Sequence, residues 1–189
     1  MATRLLLISD THVPARARQL PDEVWRAIDA ADVVVHAGDW VDVATLDAIE
    51  ARAARLVGVA GNNDGAVLRA RLPEFARFEL DGVRFGVVHE TGPATGRELR
   101  MDAAYAGLGS GDSGDSGGGD ASRGPGRPGI DVLVFGHSHI PWDTTTPRGI
   151  RLLNPGSPTD RRRQPVCTVM TAVADAGALR DVALVPVER

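Results

Sequence analysis

The chain contains no lysine: all 21 basic residues are arginine. That excludes a Schiff-base lysine and the lysine of a phosphate-binding P-loop. The single cysteine, Cys167, rules out an intrachain disulfide and a multi-cysteine zinc site. It lies in the largely apolar run from Pro165 to Val173 and is expected as a buried strand thiol. From Met1 to Asp10 there is only a short apolar run, too short for a signal peptide or a membrane span, so a cytoplasmic location is expected. With a formal net charge of -4, nothing in the overall charge favours nucleic acid or an anionic membrane as a partner. What remains is 189 residues, 43% of them hydrophobic, enough for one domain with a sizeable core.

Short β-rich apolar runs alternate with amphipathic stretches, which predicts an α/β fold. Leu5–Ile8 is a continuous apolar run, as in a strand covered on both faces. A helix follows over Pro21–Ala31, with proline at its start and Val24 and Ile28 on one face. Strands are expected at Val33–Ala37 and Leu56–Ala60, separated by a helix over Val43–Arg52 with Asp42 as its N-cap. Arg77–Leu80 and Val83–Val88 flank Asp81-Gly82, a hairpin signal. Thr95–Ala106 reads as a helix and Asp131–Phe135 as a buried strand. The last three strands, Ile150–Leu153, Val166–Val173 and Leu179–Val187, read as antiparallel around turns. A mixed sheet, or two packed sheets with helices outside, fits this order.

Gly107 to Gly129 stands apart, being mostly Gly, Ser, Asp, Pro and Arg. Such a segment buries too little apolar surface to offset its ordering entropy and is expected as a flexible surface insertion. It lacks the period of a calcium-binding Gly/Asp repeat.

Five predicted strands end in metal-binding residue types. These are Asp10-Thr11-His12, Gly38-Asp39, Gly61-Asn62-Asn63-Asp64, His89 and Gly136-His137-Ser138-His139. Functional residues in open α/β sheets gather at the carboxyl ends of strands, so the five clusters can converge. Asp10 and His12 are two apart, as are His137 and His139; on extended backbone each pair would project to one side. The neighbouring Gly38, Gly61 and Gly136 allow sharp turns and leave room for ions. Imidazole with carboxylate suits manganese, iron, zinc or nickel better than calcium. Two aspartates against two dications leave the site positive, a receptor for phosphate, and two metals can clamp an in-line displacement at phosphorus.

Taken in order, these motifs resemble the calcineurin-like metallophosphoesterase superfamily. The short length and Asn154-Pro155-Gly156-Ser157 after the last motif resemble its small YfcE-type phosphodiesterases. The resemblance spans nearly all of the chain except Gly107 to Gly129. It implies a four-layer α/β sandwich of two mixed β-sheets flanked by helices. It implies that Asp10, His12, Asp39 and His139 hold one metal, and that Asn62, His89 and His137 hold the second with Asp39 bridging. Manganese is the usual activator it implies, with iron, nickel, zinc or magnesium as alternatives. The implied activity is phosphodiester hydrolysis by a metal-bridging hydroxide, on a small phosphate ester or a nucleotide. Asp39, Asn62 and Asn63 are the expected catalytic residues, and Asn62, Asn63 and Ser157 the expected substrate contacts. A phosphomonoesterase is the alternative. A non-catalytic scaffold, as the retromer subunit of this fold is, has no need of seven ligands.

Two positions depart from the family. Larger relatives carry His, and small ones often Cys, where Asn63 stands; asparagine cannot transfer a proton at neutral pH. Glu90 replaces a common glycine after His89. Around the motifs, His36 is expected as a packed or supporting histidine and Asp64 as an orienting group or a helix cap. Asn154 is expected to support the site or to form a plain turn. Trp40 and Trp142 can wall a pocket, pack ordinarily or form a homo-oligomer contact. Arg16, Arg18 and Arg161 to Arg163 are either solvated or phosphate-steering.

Overall fold

The computed structural model describes residues 2–105 and 129–188. The insertion expected at 107–129 therefore lies outside the described residues except for Gly129. The Gly129 N–H donates to the Tyr105 carbonyl at 3.4 Å, so the two flanks of the segment meet.

Two five-stranded mixed sheets form the centre of the fold. In the first sheet, β1 (Thr3–Ile8), β2 (Val33–His36) and β3 (Leu56–Gly58) run parallel. Beside β1 lie two antiparallel strands, β9 (Cys167–Asp175) and then β10 (Ala178–Val187). In the second, β5 (Val83–Val88), β6 (Val132–Val134) and β8 (Arg151–Asn154) run parallel. Their antiparallel edges are β4 (Phe75–Leu80) and β7 (Trp142–Thr145).

Side-chain alternation along β1 shows how the layers form. Leu5 and Leu7 face the second sheet and join Val33, Val35, Phe85, Val87, Val132 and Val134 in one cluster. Leu6 and Ile8 face outward, with Val34, onto Val24 and Ile28 of α1 (Asp22–Ala30) and Leu46 and Ile49 of α2 (Val43–Arg52). Leu68 of α3 (Ala66–Arg71) closes that layer, as does Cys167, buried as expected. On the far side, Leu133, Phe135 and Leu152 pack on Met101 of α4 (Arg97–Tyr105). Three apolar clusters thus lie between four layers, helix–sheet–sheet–helix, and strands buried on both faces read as unbroken apolar runs.

The structure differs from expectation at four places. Asp42 precedes α2 but makes no side-chain cap hydrogen bond. β8 is not antiparallel to the last two strands; it joins the other sheet beside β6, and the chain crosses between sheets through Pro155 to Val166. β7 carries polar, half-exposed residues and had no strand signal. α3 is only six residues long, too short for a helical period. No helix among the described residues is long and apolar enough to cross a membrane.

Candidate metal centre

The five motifs meet where the carboxyl ends of β1, β2 and β3 face those of β5 and β6. Main-chain bonds tie the turns together: Asp10 N–H to Gly38 O (2.9 Å), His12 N–H to Asp39 O (3.1 Å) and Gly136 N–H to His89 O (3.0 Å). Two further bonds join the sheets. The His89 ring bonds through Nδ1 to Ala37 O at 2.8 Å, and the His137 N–H donates to Asp10 Oδ1 at 3.1 Å.

The backbone is not extended here, contrary to the spacing argument. Asp10, His12, Asp39, His137 and His139 have φ of 53°, 44°, 62°, 68° and 57°, all left-handed. Val41 at 76° joins them, a costly conformation for a β-branched residue. Residues held this way persist where surrounding structure over-determines them, and they cluster at functional sites. Convergence comes from these turns, not from strand alternation. The glycines supply room rather than bending alone. A Cβ on Gly61 would stand 2.2 Å from Asp39 N and Oδ1, and one on Gly136 would stand 2.8 Å from Asp10 Oδ2.

The side chains form two connected halves. Asp10, His12 and His139 offer ligand atoms within 4.8 Å of one another, and so do Asp10, Asp39 and His89. His12 Nε2 lies 3.2 Å from His139 Nε2 and 3.4 Å from Asp39 Oδ2. The same Asp39 oxygen lies 3.4 Å from His89 Nε2, so it faces both halves. Asn62 Oδ1 lies 2.9 Å from His89 Nε2 and 2.8 Å from His137 Nδ1. Asp10, His12, Asp39, His89 and His139 are buried, whereas Asn62 and Asn63 are exposed and His137 half-buried. The site thus opens on its Asn62 side.

This set fits divalent cations. His139 Nδ1 is bonded to Asp160 O (2.7 Å) and His89 Nδ1 to Ala37 O. Both carbonyls can only accept, so each neutral ring keeps its proton on Nδ1 and turns the Nε2 lone pair inward. Lone pairs then face carboxylate and amide oxygens, an arrangement that only protons or cations satisfy. Burial pushes the Asp10 carboxyl up to about 7, partly opposed by His89 and by the Ser9 hydroxyl. At Asp39, burial acts in the raising direction, but bonds and charge from His89 once its ring takes a second proton at Nε2, with the two Asn63 donors, outweigh it and hold the carboxyl below the usual range. Burial also lowers His139 to about 4, keeping it neutral.

Protons and metal therefore compete at Asp10. Its raised value means that, without metal, stability from this group is full below 3.8 and lost as pH rises through about 7. Metal affinity should move oppositely. Manganese affinity is expected to rise about tenfold from pH 6 to pH 8 for the Asp10 proton displaced. Titration calorimetry in buffers of different ionisation heat should find proton release at pH 6 that fades at pH 8. Affinity and proton release independent of pH would contradict the protonated Asp10.

The supporting residues resolve as follows. His36 is fully buried, stacked on Trp40 at 3.5 Å between ring centroids. Its Nδ1 accepts the Gly38 N–H (3.2 Å), leaving Nε2–H to donate to Thr11 Oγ1 (3.1 Å). Asp64 orients rather than caps: it accepts the N–H groups of Gly61 (2.7 Å), Asp39 (3.2 Å) and Val41 (2.7 Å), while Gly65 holds the cap position of α3. Sequence reasoning could not choose between those roles, because the strained Asp39–Val41 turn that needs the carboxylate is invisible in sequence.

Ser157, expected at the substrate, is instead 1% exposed; its hydroxyl donates to Asp10 O (2.7 Å) and props that turn. Asn154 likewise donates to Gly136 O (2.9 Å). Asn63 stands at the opening, its N–H donating to Asp39 Oδ1 (2.8 Å) and its Nδ2 to Asp39 Oδ2 (2.6 Å). Trp40 is buried and donates to Val59 O, and Trp142 packs under Arg97 beside α4, so both pack ordinarily. Glu90 Oε1 lies 3.8 Å from His137 Nε2, on the ring edge away from Asn62.

The described residues match known proteins along most of their length. A model of the calcineurin-like phosphoesterase superfamily domain covers residues 3–177. A probable metallophosphoesterase of Methanocaldococcus jannaschii is 33% identical over 154 residues, 81% of this chain and 67% of that protein. One from Methanothermobacter thermautotrophicus is 32% identical over 153 residues, 81% of this chain and 76% of its own length. Among solved structures, a Thermotoga maritima protein is 29% identical with a TM-score of 0.68, over 98% of this chain and 99% of that one. Vps29 of Entamoeba histolytica complexed with zinc shares the fold alone, at 18% identity and a TM-score of 0.65 over 97% and 98% of the two chains. With the family model spanning nearly the whole chain and its Asp and His clusters meeting at one site, the chain belongs to the calcineurin-like phosphoesterase superfamily.

Proposed function

We propose that the protein is a dinuclear-metal phosphodiesterase, with manganese as its working ion. Asp10, His12, Asp39 and His139 hold one ion; Asn62, His89 and His137 hold the other, with Asp39 between them. The observation that carries the reading is the single Asp39 oxygen lying 3.4 Å from a histidine of each half. Two ions bound there supply Lewis-acid activation of the phosphoryl group and of the attacking water.

The chain's own groups do the rest. Carbonyls of Ala37 and Asp160 fix the tautomers of His89 and His139, so the rings need no rearrangement to ligate. Asn62 and Asn63 stand on the open side, where the phosphate enters. The Asn63 amide can turn from Asp39 to a phosphate oxygen as a neutral donor.

A cleft of about 490 Å³ continues from His12, Asn62 and Asn63 past Ala15 and Val41. It gives room for an organic group on each side of phosphorus, which favours a diester over a monoester. With manganese present, an aryl diester should be hydrolysed faster than the matching aryl monoester at equal leaving group. The reverse order in kcat/KM would make the protein a phosphomonoesterase. No hydrolysis of either ester by metal-loaded protein would leave a binding module of this fold.

A further inference from the structure

The cleft beside the metal centre is lined by two arginines the site itself does not need, Arg16 and Arg162. They come from opposite directions in sequence: one follows the β1 motif, the other follows the Asn154–Ser157 crossing. Both are exposed. Neither guanidinium hangs free. Arg16 Nε lies 3.5 Å from Asp160 Oδ2, whereas Asp160 Oδ1 accepts the main-chain N–H of Arg162 at 3.1 Å rather than its guanidinium. Arg162 has a left-handed φ of 47°, and its Nη1 lies 3.5 Å from Ser138 O, inside the last metal motif.

Asp160 is the hub. Its N–H bonds to Ser157 Oγ at 2.9 Å, and its carbonyl accepts from His139. The two arginines are thus mounted on the segment that orients a metal ligand, and one carboxylate offsets only part of their charge. Among the described residues bordering the cleft none is Trp, Tyr or Phe, so a base there could stack only on His12 or on the guanidinium planes themselves.

From this placement we infer that the substrate is a phosphodiester with one ester arm ending in a second phosphate, which Arg16 and Arg162 bind. Resting on the phosphodiesterase reading, the inference narrows its substrate class to doubly charged esters whose second phosphate is recognised by charge. Guanidinium forks match phosphate oxygens and release a weak ion pair when they do so. The Arg16–Asp160 contact, at 3.5 Å and exposed, is such a weak pair.

The test uses manganese-loaded protein, with the metal in excess over ligand, and alkanediol bisphosphates of two to six carbons. Alkyl monophosphates of the same length serve as reference. Affinity is read twice: as inhibition of aryl diester hydrolysis, and as thermal stabilisation of the metal-loaded protein, which needs no turnover. At one chain length the bisphosphate should bind at least about tenfold tighter than the monophosphate, one charge-assisted contact's worth. Arg16→Gln and Arg162→Gln should each reduce that preference several-fold, and the double variant should abolish it. Arg18→Gln, outside the cleft lining, should leave it intact.

High salt should collapse the preference in the unmodified protein, which keeps the test decisive even if the double variant loses its fold. Equal affinity for the two ligand types, or a preference that survives both substitutions or high salt, would overturn the inference. Loss of metal-dependent diester hydrolysis alone would instead sink the phosphodiesterase reading, because the thermal measurement stands without it.

Discussion

Asp39→Ala is expected to lower kcat/KM by more than any other single ligand substitution, by at least about 100-fold. The reason is geometric. One Asp39 oxygen faces His12 in one half of the site and His89 in the other, at 3.4 Å each. Asp10 also belongs to both groups of ligand atoms, but among the described residues only Asp39 sets one oxygen 3.4 Å from a histidine of each half and receives both Asn63 donors. His12→Ala would remove one donor from one half and leave the other half whole. Losing a group that merely orients a metal ligand typically costs 10–100-fold in affinity or activity, so about 100-fold is a floor for a shared ligand. Asp39→Asn keeps the shape but removes the charge, and should fall between Asp39→Ala and the unmodified protein. Metal content after dialysis, measured beside kcat/KM, separates this from misfolding: Asp39→Ala should lose both ions, His12→Ala chiefly one. Asp39→Ala holding metal and rate better than His12→Ala would contradict a shared ligand.

The second large effect concerns the leaving group. Asn63 stands at the mouth of the centre where larger relatives place a proton-donating histidine. It bonds to Asp39 through N–H and Nδ2, so it orients that carboxylate but cannot deliver a proton to a departing oxygen. His89, His12 and His139 are buried behind the ligand atoms, and His137 turns its Nδ1 toward Asn62. Of the five histidines only the half-buried His137 reaches the open side, and the proposed metal set already uses it. General-acid help is typically worth about 10²–10⁴-fold, and its absence weighs most on alkoxide leaving groups. Aryl diesters should react well, with a steep decline as the leaving-group pKa rises. Asn63→His should flatten that decline and raise alkyl diester rates by up to about 100-fold, the low end of the range. A leaving-group series with both proteins reads it directly. Equal, shallow slopes would show that water or the substrate supplies the proton.

Much of this was legible in the sequence, for physical reasons that can be named. β1 was readable because Leu5 to Ile8 face apolar layers on both sides, so burial leaves no alternation to confuse. The ligand clusters were readable because parallel strands bring their carboxyl ends to one edge, whatever their distance along the chain. The turns were not. Asp10, His12, Asp39, His137 and His139 adopt left-handed backbone without being glycine, and no local rule predicts that. Ser157 was misread as a substrate contact because its partner, Asp10 O, lies 147 positions away in sequence. The β8 expectation fails for a different reason: β8 pairs in parallel with β6 of its own sheet, and the chain crosses to the other sheet only after it. Arg16 and Arg162 could not be told from solvated arginines until both were found in one cleft with Asp160 between them.

Metal removal and return tests the dinuclear centre most directly. The protein should be stripped with chelator, dialysed, and titrated with manganese while hydrolysis of an aryl diester is followed. Activity should vanish in the stripped protein and return as two manganese ions bind per chain, with the break in the titration at two equivalents. Full hydrolysis by the stripped protein, or full recovery at one equivalent, would contradict a two-metal phosphoesterase built on Asp39.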